Sequence, residues 1–205
     1  MKNNESVNVS GNLEIWKIYH DGSEELLFDE RNTITSGMGV GLGLLYAGSG
    51  ATSITNFQIR YFQLGVKGDS VLTNYTVSTT ALVSALGQVN GVADYKGTQS
   101  TIPISNHELM AWNGAASATT EGETTWAFGL MSDSNIKRVD LNSVTYIIYL
   151  DRNTCNDQIL NEVGLFMKNP LGRATDRSNL VAYRPFTDIT KTNDFSLIFK
   201  WTLNF

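Results

Sequence analysis

The sequence predicts a mainly β protein, an antiparallel β-sandwich formed by a single domain over residues 1–205. Only 17% of its residues are charged, while 18 are Gly and three are Pro, and this composition favours strands and turns over long helices. Several runs alternate apolar with polar residues, as half-buried strands do. The clearest run, "FSLIFKWTLNF" at residues 195–205, has six large apolar residues on one side. We expect this run, including Trp201 and Phe205, to be buried between two sheets.

The first two strands are predicted at residues 12–20 and 24–31. They are joined by His20-Asp21-Gly22-Ser23, and Asp-Gly between alternating runs is a strong hairpin signal because Gly tolerates positive φ. Residues 1–11 are polar and unpatterned. They are predicted to form a flexible arm, which could become ordered by adding a strand to a neighbouring chain.

A short helix is predicted at about residues 36–47, in the glycine-rich stretch after the hairpin. The glycines do not form a dinucleotide fingerprint, because Gly37 and Gly39 are followed by Leu42 where a third Gly is required. A phosphate-binding loop is also excluded, because its last Gly must be followed directly by Lys and then Ser or Thr, whereas Gly48 is followed by Ser49 and Gly50. The stretch therefore favours a helix capped by Thr35 or Ser36. Its glycines would allow close packing on a sheet, together with Met38, Leu42, Leu45 and Tyr46.

The next segments alternate between predicted strands and a long loop-rich insertion. "NFQIRYFQLGV" (residues 56–66) alternates again and predicts a third strand. Residues 69–125 mix turn residues with short apolar patches, so we expect a loop-rich insertion that contacts neighbouring subunits. "NSVTYIIYLD" (residues 142–151) has apolar residues on both sides, which indicates a strand covered on both faces.

Residues suited to catalysis are few and separated in the sequence. His20 lies in the predicted hairpin turn, and His107 has no second His at helical spacing. Cys155 has no Cys partner for a disulfide and no evident His base, and Gly-x-Ser-x-Gly is absent. We therefore expect no enzymatic activity and name no catalytic or cofactor-binding residue.

One segment resembles a calcium-binding loop at four of its positions. Asp151, Asn153, Asp157 and Glu162 occupy the first, third, seventh and twelfth places. The sixth place requires Gly and holds Asn156, while the fifth holds Cys155, a poor ligand for a hard cation. Both flanks also read as strands where helices are required. We expect a solvated hairpin turn here, and no metal site.

Charge and hydropathy limit the classes of partner. The net charge of -5, without long blocks of either sign, gives no support for a nucleic-acid surface. No stretch approaches the roughly 18 apolar residues of a spanning helix. The start "MKNNESVNVSGN" has no secretion signal. These observations predict a chain that stays in the cytosol where it is made, with no nucleic acid and no membrane as partner.

Four stretches carry a resemblance: "ERNTITSGMGVGLGLLYAG" (residues 30–48), "FQIRYFQLGVKG" (57–68), "ILNEVGLFMKNP" (159–170) and "NLVAYRPFTDITKTNDFSLIFKWTLNF" (179–205). Together they resemble a pattern found in virion proteins of tailed bacteriophages. In that pattern Asn-x-Ile-Thr precedes a short helix and a strand ending in Leu-Gly; an Asn-Glu-x-Gly-Leu-Phe strand and three further elements follow. The later positions here are Asn161, Glu162, Gly164, Leu165 and Phe166, then Leu180, Ala182 and Arg184, then Ile189 and Lys191, then Trp201, Leu203 and Phe205. The departures are Tyr183, between Ala182 and Arg184, and a longer middle section.

The resemblance implies a structural protein of the tail, baseplate, neck or fibre attachment, with no catalytic residues. Its partners would be other phage structural proteins and copies of itself, in a trimer or ring, and it would be located in a virion assembled in the host cytoplasm. Two alternatives are a head decoration protein and a receptor- or carbohydrate-binding sandwich. The binding module would expose aromatic residues, for which Tyr95, Trp112 and Trp126 are the candidates.

Glu162 within its apolar strand also carries a structural expectation. A buried carboxylate requires a cation or hydrogen-bond donors. Arg184 and Lys191 are the nearby cations in the motif, so we expect one of them to contact Glu162. Gly164 is expected to let a neighbouring group approach closely.

Overall fold

The computed structural model describes residues 9–47, 54–65, 82, 107–112, 126–131, 133–153, 155–167 and 180–205. The strands described in this part of the chain are β1 (Ser10–Tyr19), β2 (Glu24–Arg31), β3 (Thr33–Ile34), β4 (Ile59–Gly65), β5 (His107–Trp112), β6 (Trp126–Met131), β7 (Ile136–Arg138), β8 (Ser143–Leu150), β9 (Ile159–Met167), β10 (Leu180–Thr190) and β11 (Phe195–Asn204). The α-helix α1 spans Ser36–Ala47, and 3₁₀ turns span Ile54–Phe57 and Asp133–Asn135.

The strands form two antiparallel sheets, which confirms the predicted mainly β sandwich with one short helix. Sheet A has the order β2-β1-β11-β8-β7, and sheet B the order β3-β10-β9-β4-β6-β5. Aromatic rings connect the two layers: the ring of Phe186 on β10 lies 6.0 Å from Phe199 on β11 and 6.2 Å from Phe28 on β2. Phe186 and Phe199 are fully buried with the aliphatic core between the sheets.

The predicted hairpin at the start of the chain is confirmed. Gly22 has φ 84°, the left-handed conformation that the Asp-Gly turn requires. The Asp21 carboxylate accepts hydrogen bonds from the Ser23 hydroxyl (2.6 Å) and backbone N–H (2.9 Å), and these hold the pKa of Asp21 below its usual value. Strand β1 already begins at Ser10, so residues 10 and 11 of the expected arm belong to sheet A. Residues 1–8 lie outside the described part.

Helix α1 occupies residues 36–47 as predicted, although two details of its packing differ. The Thr35 hydroxyl does not cap the helix but donates to the carbonyl of Leu180 on β10. Gly41 lies against Met167 of β9, and a Cβ at this position would come within 2.7 Å of the Met167 Cε. Tyr46 was expected on the sheet, and this was wrong, since it is 84% exposed. The buried residues of α1, Met38 and Gly41, lie in its first half, whereas Tyr46 lies in its last turn.

The last strand confirms one burial prediction and contradicts another. Trp201 is fully buried, together with the other inward-facing residues of β11. Phe205 is 40% exposed. The ladder of β11 ends at Asn204, which pairs with Ser10 and Ser143, so Phe205 lies beyond the covered part of the sheet.

The strand covered on both faces is β9 rather than β8. In β8 only Tyr146, Ile148 and Leu150 are buried, and the other face, which includes Tyr149, is half-buried. In β9 every residue from 160 to 167 is buried. β9 is buried because it lies inside sheet B, between β10 and β4, and because the outer face of sheet B is also covered.

Most of the expected loop-rich insertion, residues 69–125, lies outside the described residues. The part described includes β5, which pairs with β6, so residues 107–112 form a strand and not a loop. In the described part of the chain, no helix has the length and hydropathy needed to cross a bilayer.

Candidate functional site

An apolar cleft of about 420 Å³ opens at one end of the sandwich. Its walls come from α1, the two 3₁₀ turns, and the ends of strands in both sheets. The lining residues are Met38, Leu42, Phe57, Gln58, Ile59, Arg60, Asp133, Ile136, Val144, Tyr146, Met167 and Phe205. A cleft of this size and composition is in the range of protein binding sites.

The polar groups of the cleft lie at two places. Tyr146 is buried, and burial raises its pKa to about 12, so the phenol is neutral over the physiological range. Arg60 forms an ion pair with Asp133, whose side chain is exposed. The rest of the lining is apolar apart from Gln58, so the cleft suits an apolar group.

Exposed apolar side chains flank the cleft on two sides. Tyr46 and Ile54 (73% exposed) belong to α1 and the turn that follows it. Val139 (58%) and Leu141 (86%) belong to the loop between β7 and β8, and Phe205 directly follows β11. We call the cleft and these five residues the apolar end. The place of Val139 and Leu141 on this surface was not predicted from the sequence, because single apolar residues in a turn carry no periodic signal.

The connections between these residues and the cleft follow from local geometry. Tyr46 is one helical turn after Leu42, which lines the cleft, so both lie on the same side of α1. On the other side, Phe205 lines the cleft and its backbone N–H donates to the Asn142 carbonyl at 2.9 Å. This hydrogen bond joins the loop of residues 139–142 to the cleft wall.

The loop of residues 139–142 is held by several hydrogen bonds although Leu141 is exposed. Arg138 donates through Nε to the Asp140 carbonyl (3.1 Å) and through Nη2 to the Leu141 carbonyl (3.0 Å). The Leu141 N–H donates to the Asp140 carboxylate at 2.6 Å. An apolar side chain is thus presented to solvent on a hydrogen-bonded backbone.

The chain segment on the helix side of the apolar end has no charged residue before Arg60, which lines the cleft together with Asp133. Residues 32–59 contain no Asp, Glu, Lys or Arg, and they include α1 and the turn at Ile54–Phe57. Depletion of charge is a property of the cores of protein interfaces. This run is the sequence signal that could have indicated the apolar end before the structure was known.

Glu162 is fully buried on the outer face of sheet B and contacts a different residue than expected. The Tyr183 hydroxyl, also buried, donates to Glu162 Oε2 at 2.7 Å. The expected contact with Arg184 was wrong, because Arg184 follows Tyr183 and points to the opposite face, where it pairs with Glu30 of β2. The same cluster includes the buried Gln63, whose Nε2 has no hydrogen-bond partner among the described residues.

Glycines make room for this cluster. Gly65 is paired with Glu162 across β4 and β9, and a Cβ at Gly65 would come within 2.6 Å of the Glu162 Cδ. At Gly164 a Cβ would come within 2.8 Å of Leu82 Cδ1, so the expected close approach is confirmed. These residues build the sheet and its cover.

Lys191 follows β10 and contacts the segment that resembles a calcium-binding loop. Its Nζ donates to the Thr192 carbonyl (2.6 Å), the Asn156 Oδ1 (3.1 Å) and the Arg152 carbonyl (3.2 Å), and the side chain is fully buried. Burial lowers the pKa of Lys191, partly opposed by the nearby Cys155. The expected solvated turn was therefore wrong in part, because an ammonium group is enclosed by the turn. Lys191 also does not contact Glu162, which lies within β9.

The remaining candidate residues are dispersed. His20 is exposed in its turn, with Nδ1 3.1 Å from Arg152 Nη1, and Cys155 is half-buried with φ 59°. No three His, Cys, Asp or Glu side chains of the described residues are placed to hold a metal ion. Trp112 and Trp126 lie directly opposite each other in the β5–β6 register, while Tyr95 lies outside the described residues.

Comparisons of the chain with protein-family models, with curated proteins and with solved structures found no match. The resemblance of β9, β10 and β11 to phage virion proteins stays a prediction.

Proposed function

We propose that this chain is a structural subunit of a tailed-phage virion that acts through protein–protein assembly, with the apolar end as its contact surface. The observation that carries the proposal is the apolar end itself. Its five exposed side chains present on the order of 600 Å² of apolar surface, from roughly 150–250 Å² per large side chain. The sum equals the upper end of the range for the largest apolar patch on a typical monomer, and patches of that size are often functional.

The sequence motif is consistent with an architectural role. Its later positions fall on β9, β10 and β11, apart from Lys191 and Phe205, which directly follow β10 and β11. Leu165, Ala182, Trp201 and Leu203 are buried in the core. Glu162 is enclosed by Tyr183. A subunit of this kind needs no catalytic residue, and we propose no enzymatic activity. Tail, baseplate, neck and fibre attachment are all locations that fit the proposal.

The proposal is tested by incorporation into particles assembled in the host cytoplasm. A double variant, Tyr46→Asp with Ile54→Asp, places two carboxylates on the apolar end without changing the core. The matched control is Leu26→Asp, since Leu26 is an exposed apolar residue (45%) on β2. We expect the control in purified virions and the double variant to be absent from them. Absence of the intact chain from virions would overturn the proposal.

A glycan- or receptor-binding module is the second candidate, because Trp112 and Trp126 form a cross-strand pair at the edge hairpin of sheet B. Neighbouring aromatic residues on a sheet edge suit the apolar face of a sugar ring. A glycan screen with the intact chain and with Trp112→Ala tests it. Two results together would favour this function: glycan binding that is lost in Trp112→Ala, and virions that form normally without the chain. If the chain is instead a head decoration protein, it should be found in purified heads and be absent from purified tails.

A further inference from the structure

We infer that the apolar end docks a second copy of this chain: two copies pair about a twofold axis, and Leu141 of each copy enters the cleft of the other. The inference rests on the proposed function, since it names the partner of the same assembly surface. It differs from the trimer or ring expected from the sequence, because a reciprocal contact of this kind is closed after two copies.

Leu141 is suited to be the inserted residue. It is the most exposed large apolar side chain of the described residues, yet Arg138 and Asp140 hold its backbone in one conformation. A preordered side chain loses little conformational entropy on binding. In a single copy the ordered backbone only presents this leucine to solvent.

The cleft has the size and lining to receive this side chain. A cavity of roughly 150 Å³ lined by aliphatic and aromatic residues already binds benzene, and this cleft measures about 420 Å³. The cleft is therefore large enough for the side chain of Leu141. The walls that it would meet include Leu42, Phe57 and Met167.

The position of the two parts favours a second copy over a ring. Phe205 lines the cleft and also binds Asn142, the neighbour of Leu141, so the inserted residue and the cleft lie side by side at one end of the sandwich. Two copies that face each other at this end satisfy both contacts at once. A ring would require the two parts on different sides of the molecule.

The available area approaches that of a standard interface. Each copy contributes on the order of 600 Å² from the exposed side chains, and the cleft walls add to this, against about 800 Å² per partner in a standard interface. Helix α1 and the turn at Ile54–Phe57 contain no charged residue. The charged residues that line the cleft, Arg60 and Asp133, are paired with each other. Apolar surface of this kind is the core of a self-complementary interface.

Sedimentation equilibrium of the full chain tests the inference, over concentrations from about 1 to about 200 µM. We expect a mass approaching twice 22.6 kDa. Leu141→Asp should weaken pairing at least about 100-fold, because it would bury an unpaired carboxylate in the cleft. Leu141→Met should pair as the intact chain does. Ile159→Asp is the control, since Ile159 is also exposed (47%) but starts β9.

Thermal unfolding followed by circular dichroism checks that each variant is folded, which is expected at such exposed positions. A monomer at the highest concentration, a mass of three chains, or pairing that Leu141→Asp leaves unchanged would each overturn the inference. A monomeric chain that still enters virions through the Tyr46 and Ile54 surface would overturn the inference alone. The proposed function would then stand with a different partner.

Discussion

Replacing Tyr183 by Phe removes one hydroxyl and keeps the ring, so it isolates the hydrogen bond to Glu162. The bond is 2.7 Å long, and both residues are fully buried, so water does not readily replace the lost donor. A hydrogen bond to a charged group contributes about 1.5–3 kcal/mol. Tyr183→Phe should therefore lower the free energy of unfolding by about 2 kcal/mol. For a domain of this length that lowers Tm by roughly 4–8 °C.

The matched control is Tyr149→Phe, which removes a hydroxyl that donates to Ser196 at 3.1 Å from a half-buried position. Water can replace this partner, so we expect a loss of about 0.5 kcal/mol. Both variants would be measured by urea denaturation and by calorimetry. If Tyr183→Phe is no less stable than Tyr149→Phe, the buried carboxylate does not depend on the tyrosine, and the account of the cluster is refuted.

Three further predictions concern space and protonation. Gly65→Ala should destabilise the chain by about 1–3 kcal/mol, because its Cβ meets Glu162. Gly43→Ala in α1, where a Cβ has nothing within 4 Å, should instead stabilise the chain by about 0.5–1 kcal/mol. Equal denaturation midpoints for the two variants would contradict this prediction. Burial lowers the pKa of Lys191 from 10.5, so the folded chain releases this proton first and the free energy of unfolding should rise with pH up to 10.5. Denaturation in alkaline buffers should show less of this rise in Lys191→Met. The pKa of Tyr146 is raised from 10.0 to about 12, so its contribution to the free energy of unfolding is fully present below pH 10.0. Roughly 3 kcal/mol of that contribution should be lost as pH rises from 10.0 through 12. A Tyr146→Phe variant with the same alkaline loss as the intact chain would be evidence against a buried phenol.

Elements with a local signal could be predicted from the sequence. Asp21-Gly22 specified the first hairpin, the glycine-rich run specified α1, and alternation specified β11, because each depends on residues close together in the chain. Periodicity also placed Trp201 in the core. It could not show that Phe205 and Tyr46 are exposed, since that depends on which other elements cover the ends of a strand and a helix.

Contacts determined by strand register could not be predicted. Arg184 and Tyr183 are neighbours in β10, and a shift of one residue decides which of them faces Glu162. Register shifts on both sides of this stretch of β10 make the face impossible to count from either end. Lys191 and the cleft depend on residues from distant elements, and only the uncharged run of residues 32–59 gave a local sign of the site.

The pairing of β1 with β11 has a consequence for the order of folding. These strands lie side by side at the middle of sheet A, with Ser10 opposite Asn204. During synthesis β1 and β2 leave the ribosome first but have no partner beyond their own hairpin until β11 follows. Closing so long a stretch of chain is slow, so the exposed edge of β1 is a template for non-native pairing throughout translation. The yield of native protein should therefore depend on chaperones that shield this edge.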